Sequence, residues 1–361
     1  MPAQASATAG CVVDGIFYVI GGNYPFPQPL RTVWAYDPRT NSWTRKADMP
    51  TARNFLAAAA VNGTIYAIGG YPGFVASRTV EAYDPRTDTW VAKANMPTAR
   101  ATLAACAVNG IIYAIGGTDG WPHSVSTVEA YDPTTNQWST KSSLPKGLDF
   151  LTASVVNGLI YVFMGTETFA YDPQTDHWTT KTNPFSPYSW GLMSAQVGGI
   201  IYVFGGFTPD WKDGNDFMLA YDSAQDQFTA RRRMPRKRGV AACGVIGGMV
   251  YLAGGVSKEP AVNPDAIYYT ALDVFDPQGG VTPQILSLTC ESTNQVRLVW
   301  QGEAGISYGV ESRPNVATGV WTRATFISGT NSVLATNAVV EATCIVPTVD
   351  MNRFFRVFES N

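Results

Sequence analysis

The chain has 361 residues, a formal net charge of −3, 45% hydrophobic residues and only 15% charged ones. That length suits one sizeable globular unit plus a small second domain. Low, scattered charge gives no footing for nucleic acid or an anionic membrane, and no secretory h-region or transmembrane run is present.

One pattern recurs six times along the first three quarters of the chain. Val13-Asp14-Gly15 returns as Val61-Asn62-Gly63, Val108-Asn109-Gly110, Val156-Asn157-Gly158, Val197-Gly198-Gly199 and Ile246-Gly247-Gly248, with closing glycines 48, 47, 48, 41 and 49 residues apart. A period near 50 built from short apolar runs predicts a propeller blade per repeat. Met1-Pro2 stands in register with Met49-Pro50, Met96-Pro97 and Met234-Pro235, so the chain opens at a repeat boundary.

Within each repeat the elements follow in order. The small apolar runs Ala57 to Val61 and Ala104 to Val108 predict crowded innermost strands. Asn-Gly or Asp-Gly then predicts a two-residue hairpin turn with φ > 0. Ile65 to Ile68 and Ile201 to Phe204, apolar on both faces, predict a second strand sandwiched between blades. A glycine pair ends it, at Gly21-Gly22, Gly69-Gly70, Gly116-Gly117, Gly205-Gly206 and Gly254-Gly255, with Met164-Gly165 in the fourth copy. Tyr-Asp follows at Tyr36, Tyr83, Tyr131, Tyr171 and Tyr221, with Phe275-Asp276 last, and Asp-Pro-x-Thr supplies a turn. Six residues past each of the first five Asp stands Trp43, Trp90, Trp138, Trp178 or Phe228, large enough to pack between blades, with Thr282 in the last copy.

Turn glycine, Tyr, Gly-Gly, Tyr-Asp and Trp in this register resemble the kelch motif over roughly residues 1–282. The resemblance implies an all-β, six-bladed kelch-type propeller whose binding face carries the loops entering the innermost strands and those after the glycine pairs. Each blade is expected to hold four strands, the last outer strand coming from around Val281 to Ile285.

From about Pro283 the repeat is gone. Gln295 to Trp300, Ser307 to Glu311, Val320 to Thr325 and Phe354 to Phe358 read as short alternating strands, so residues 283–361 are expected to form a fibronectin-III-like β-sandwich. The tail is similar to modules appended to secreted bacterial proteins, which points to an extracellular or periplasmic place. Cys290 and Cys344 are candidates for a disulfide, whereas Cys11, Cys106 and Cys243 on innermost strands read as small hydrophobes.

Eight residues before each turn Val or Ile lies one ring of equivalent positions: Ala5, Arg53, Arg100, Leu148, Ser189 and Arg238. The next ring is Ser6, Asn54, Ala101, Asp149, Trp190 and Gly239. On this count Arg53, Arg100 and Arg238 converge on an axial pocket beside Asn54, Asp149 and Trp190, where guanidinium forks suit an anion. The alternative is that each arginine only bonds nearby loop carbonyls. Tyr71, Trp121 and Trp211 would wall the pocket, and blade four, with five residues between Gly165 and Tyr171, would leave a low rim.

The expected ligand is an anionic small molecule, an acidic sugar or an acidic peptide, bound by a monomer. The alternative is a metal-independent enzyme, a sugar mutarotase or epimerase or an ester hydrolase, with Asp149 as base and His123 or Tyr188 as acid. Kelch proteins include a bacterial class that interconverts sialic acid anomers. No cofactor or metal is expected: His177 falls in the turn region facing away from the mouth, His123 alone cannot build a His-rich copper centre like that of galactose oxidase, and Asp210, Asp213 and Asp216 read as a solvated loop. Gly305-Ile306-Ser307-Tyr308-Gly309 spells a nucleophile elbow but lies in a predicted strand with no histidine in the tail.

Overall fold

The computed structural model describes residues 1–183, 189–208, 212–231, 233–258 and 266–277, and beyond them the backbone of the strands named below. The chain divides into two compact units, Met1–Pro277 and Gln278–Asn361.

The first unit is a six-bladed all-β propeller. Five blades are four-stranded antiparallel meanders. Blade one consists of Ala9–Val13, Ile16–Ile20, Val33–Asp37 and Ser42–Lys46, and its pattern repeats through blade five, Met193–Val197, Ile200–Phe204, Met218–Asp222 and Gln227–Arg231. Among the described residues blade six has three strands, Ala242–Ile246, Met249–Ala253 and Leu272–Phe275. Of the expected fourth strand, residues 281–284 lie outside the described ones, and Ile285 begins the first strand of the second unit. The amino-terminal segment closes the ring without a strand: Gly255 N donates to Ala5 O at 2.9 Å, and the Met1 ammonium meets Thr270 O.

The repeated anchors hold neighbouring blades together. The turn residues Asn41, Asp88, Asn136, Asp176 and Asp226 adopt φ of 50° to 57°, where Asn and Asp are tolerated best among residues other than glycine. In blade three, Tyr131 Oη donates to Asn136 Oδ1 at 2.7 Å, and that oxygen also accepts from Ala94 N at 2.9 Å. Trp138 Nε1 donates to Ala94 O at 2.9 Å. One alanine at the outer edge of blade two is thus gripped through both its amide and its carbonyl. Trp90 and Asp88 repeat the grip on Ala47, and Trp178 and Asp176 on Ser142. The late tryptophan therefore works between blades, as its size predicts.

The core is a set of apolar layers shared by adjacent blades, such as Ala57, Tyr66, Ile68 and Ala82 of blade two against Leu103, Ile112, Ala114 and Tyr131 of blade three. The inner strands flank a narrow axial channel lined by small residues including Gly10, Ala58, Ala105 and Ala153. Burial pushes the thiols of Cys11, Cys106 and Cys243 up to about 12, so they stay protonated, as the small-hydrophobe reading requires.

In the second unit, Ile285–Ser292, Gln295–Gln301, Val339–Ile345 and Thr325–Phe326 form one antiparallel sheet. A second sheet gathers Ser307–Arg313, Thr322–Arg323, Val333–Leu334 and Phe354–Glu359. The register corrects the disulfide expectation. Cys290 and Cys344 both oppose Val296, from the two sides of the strand between them. Their Cα atoms are therefore two strand spacings apart, roughly 9–10 Å, beyond the reach of a disulfide at about 7 Å.

Candidate functional site at the axial mouth

The loops entering the innermost strands and those after the glycine pairs share one face. Isolated bridges join them: Asn54 with Tyr71, Ala101 with Thr118, Trp190 with Phe207 and Gly239 with Val256. Each glycine pair donates to the entering loop of the next blade, as Gly70 N does to Arg100 O at 2.9 Å and Gly117 N to Leu148 O at 2.7 Å. A Cβ on Gly69 would stand 2.4 Å from Arg100 O, so the close approach requires glycine.

The three arginines occupy equivalent positions but do not meet. Arg53, Arg100 and Arg238 are each 0% exposed and turn into their own blades. Arg100 Nη1 donates to Gly116 O at 2.8 Å and Thr127 O at 2.9 Å, and Nη2 to Glu129 Oε2 at 2.7 Å. Arg53 does the same with Gly69 O, Thr79 O and Glu81, and Arg238 with Gly254 O and Asp273. The expectation that the three guanidinium forks converge on an axial anion pocket is not met: the Nη atoms of each are committed to a buried carboxylate and carbonyls of its own blade, and Nε is buried without a partner among the described residues.

A signal for this lay in the repeats. Arg53, Arg100 and Arg238 each come with an acid on the third strand, Glu81, Glu129 and Asp273. The blades with Ala5, Leu148 and Ser189 instead carry Trp34, Phe169 and Leu219 there.

The mouth is lined one turn further along the chain. Ala7, Phe55, Thr102, Phe150, Gly191 and Val240 all have φ between 48° and 62°. That conformation is costly for Thr, Val and Phe and persists only where the surroundings fix it. Here a belt of backbone bonds runs around the axis and fixes it: Phe55 N to Ala7 O at 3.0 Å, Thr102 N to Phe55 O at 2.9 Å, Phe150 N to Thr102 O at 3.0 Å, Val240 N to Gly191 O at 3.3 Å and Ala7 N to Val240 O at 2.9 Å. These residues and a second tier, including Leu56, Leu103, Leu151 and Leu192, line an open recess of about 120 Å³.

Aromatic rings crowd one arc of this recess. Phe55 meets Phe150 edge-on at 5.3 Å and Tyr71 at 6.5 Å, and Phe150 meets Trp190 at 6.2 Å. Beside them lie polar groups. Asp149 is 1% exposed; the Ser124 hydroxyl donates to its carboxylate, and Oδ2 has no partner among the described residues. Asn54 Oδ1 is likewise buried without one. Tyr71 shares a hydrogen bond with Thr118 and feels the charge of Asp149. Gly147 lets this loop approach, since a Cβ there would stand 2.4 Å from Ser124 O.

Desolvation holds the Asp149 carboxyl above its usual range, against the Ser124 bond and its own backbone amide. The expected ionising influence of the arginines does not operate, because each is neutralised inside its own blade.

The other candidates sit elsewhere. His123 and Trp121 stand on the exposed blade-three hairpin, His123 Nδ1 2.7 Å from Asp119 Oδ1 and Trp121 67% exposed. Tyr188, Asp210 and Trp211 lie outside the described residues. In blade four the strands Leu159–Met164 and Glu167–Asp172 pair directly across a two-residue turn, so the rim there is low. Among the described residues, six of the seven exposed large hydrophobics stand on loops that follow glycine pairs: Tyr24, Phe26, Phe74, Val75, Trp121 and Ile267.

Fold and repeat chemistry together define a class: residues 1–277 form a six-bladed β-propeller, and its first 165 residues match a kelch-repeat family. The KLHDC2/KLHL20/DRC7 Kelch-repeats domain matches residues 1–165. Kelch-like ECH-associated protein 1A of Danio rerio is 34% identical over 73 residues, 19% of this chain and 12% of that protein. Kelch repeat protein M-T8 of Myxoma virus is 41% identical over 64 residues, 18% of this chain and 12% of that protein. The chain thus spans about an eighth of the length of these relatives. The solved structure of YjhT superimposes with a TM-score of 0.67 at 16% identity, over 78% of this chain and 98% of YjhT, a likeness of fold.

Proposed function

We propose that the protein is a binding module that holds an extended polypeptide segment across the face bearing the glycine-pair loops, with one apolar side chain of that segment in the axial recess. The observation that carries this is the coincidence of exposed apolar side chains with that recess. Phe74 at 86% and Trp121 at 67% exposure stand on the same rim that surrounds it. Single exposed hydrophobics are ordinary, but a set gathered on one face marks an interaction surface. The low rim at blade four provides a way onto the axis. The anionic ligand expected from the register of the arginines has less support, because their Nη donors are committed to Glu81, Glu129 and Asp273 inside their own blades.

Selection of displayed random peptides on the whole chain tests the proposal. Peptides with an apolar anchor should be enriched, and Phe150→Ala should abolish their binding with thermal stability retained. Enriched peptides that bind Phe150→Ala and Val240→Asp as well as the parent would overturn it.

One observation favours a second reading, a metal-independent enzyme at the same mouth. A carboxyl raised by burial is poised to donate a proton, and Tyr71 and Ser124 stand beside Asp149 as further proton carriers. Sugar anomers or esters are the substrates to assay, and turnover surviving in Asp149→Asn would remove this reading. For the second unit we read its two sheets as packed into a β-sandwich.

A further inference from the structure

The polar cluster at the aromatic arc has a chemistry that the apolar recess does not explain. It offers acceptors. Asp149 Oδ2 and Asn54 Oδ1 are buried without a partner among the described residues, and they immediately precede Phe150 and Phe55, which line the recess. A buried carboxylate oxygen left unpaired is costly, and an incoming donor would recover that cost. Among the described residues Asp149 has no cationic partner: the groups acting on it are the Ser124 hydroxyl and its own amide. Arg53, Arg100 and Arg238 are committed to Glu81, Glu129 and Asp273.

The surroundings match the missing charge. Phe55, Tyr71, Phe150 and Trp190 meet at interplanar angles of 86°, 82° and 89°. Each of these neighbouring pairs is edge-to-face, so the cluster offers ring faces as well as edges, and the negative face of a ring attracts a cation. The other acidic group acting on Tyr71 is Asp119, so the local field is negative.

We infer that the mouth selects a cationic group, an alkylammonium or guanidinium, which enters between the aromatic rings and pairs with Asp149. The inference rests on the mouth being the binding face and adds the class of group it takes: the bound segment carries a basic residue next to its apolar anchor. Because the cation pairs with an ionised Asp149, its affinity rises with pH through the titration of that carboxyl. The titratable group beside Asp149 is Tyr71 from the blade-two loop, on which Asp119 of the blade-three hairpin, paired with His123, also acts; Tyr188 lies outside the described residues.

Three probes of one alkyl length decide it: n-hexylammonium, 1-hexanol and hexanoate, each titrated against the whole chain by saturation-transfer NMR between pH 5 and pH 8 in about 50 mM salt, where screening is modest. The ammonium should bind roughly tenfold more tightly than the alcohol at pH 8, and hexanoate most weakly. The ammonium's advantage should shrink as pH falls. Asp149→Asn, which keeps the Ser124 contact, should remove both preference and pH dependence while 1-hexanol binds as before. His123→Gln should leave the pH profile in place. Equal binding of ammonium and alcohol, or an unchanged preference in Asp149→Asn, overturns the inference and leaves the apolar recess standing. Preference for hexanoate overturns it in favour of an anion. Binding of none of the three sinks the mouth as a binding site altogether.

Discussion

Replacing Arg100 by Leu should damage the fold of blade three and not a ligand site. In the parent, the guanidinium is fully buried, satisfies Gly116 O and Thr127 O and pairs with Glu129, itself only 2% exposed. Its removal leaves a buried carboxylate with the Thr98 hydroxyl at 2.8 Å as its remaining side-chain donor. Breaking a buried pair from one side costs about 3–5 kcal/mol, because the surviving charge is uncompensated. At about 2–3 °C per kcal/mol for a domain of this size, Tm should fall by roughly 6–15 °C. The chain contains its own repair. Blade four has Leu148 and Phe169 at the equivalent positions, so Arg100→Leu/Glu129→Phe copies a solution this propeller already uses. Exchanging both charges for apolar groups is close to neutral in many proteins, and the double variant should regain more than half of the loss. Urea unfolding followed by tryptophan fluorescence measures all three differences. An Arg100→Leu variant within about 1 kcal/mol of the parent, an ordinary surface effect, would refute the structural role. So would a double variant as unstable as the single one.

Other expectations follow from the same geometry. Trp138→Phe keeps the packing but strips Ala94 O of its 2.9 Å bond and should cost about 1 kcal/mol, read from the urea midpoint. Gly116→Ala places a Cβ 2.6 Å from Leu148 O at φ +58° and should cost at least about 1–3 kcal/mol, whereas Gly120→Ala, with open space around it, should be near neutral. Acid should loosen the blade junctions. The Tyr83 hydroxyl and Ala47 amide hold the Asp88 carboxyl below the usual range, and the Tyr171 hydroxyl and Ser142 amide do so for Asp176. A carboxyl depressed in the folded state gives stability that is present above its unfolded value, about 3.9, and lost as pH falls through the folded one. Asp88→Asn/Asp176→Asn, which copies Asn136, should flatten that acid limb, and an unchanged limb in urea midpoints from pH 6 to pH 2 would contradict the assignment.

The propeller was legible because its anchors repeat in register, and each performs a local task that the residue type dictates. Glycine ends the second strand where the next blade's carbonyl presses in, Asn or Asp takes the left-handed turn, and Trp reaches back to the previous blade. The rings of equivalent positions were equally legible, since equivalence needs only counting. Direction was not. Counting placed Arg53, Arg100 and Arg238 at the axis, yet the left-handed residues two positions later, Phe55, Thr102 and Val240, reverse the alternation and claim the mouth. Nothing in Thr102 or Val240 announces φ > 0, because the conformation is imposed by a belt of bonds between blades. Asp149 was singled out as the one carboxylate in the two rings and does lie beside the recess, but the shift expected of it has the opposite direction: burial raises its carboxyl and no arginine lowers it. That reading depended on arginines whose partners, Glu81, Glu129 and Asp273, stand about 30 residues away in sequence. The acid that accompanies each arginine, and is absent where the arginine is absent, was the available clue.

The most direct test sets two variants side by side in one binding titration with n-hexylammonium at pH 8. If the arginines are structural and Asp149 serves the mouth, Arg100→Leu/Glu129→Phe binds like the parent and Asp149→Asn loses roughly tenfold in affinity, about 1.4 kcal/mol. The reverse pattern, with binding lost in the arginine double variant and kept in Asp149→Asn, would contradict the account.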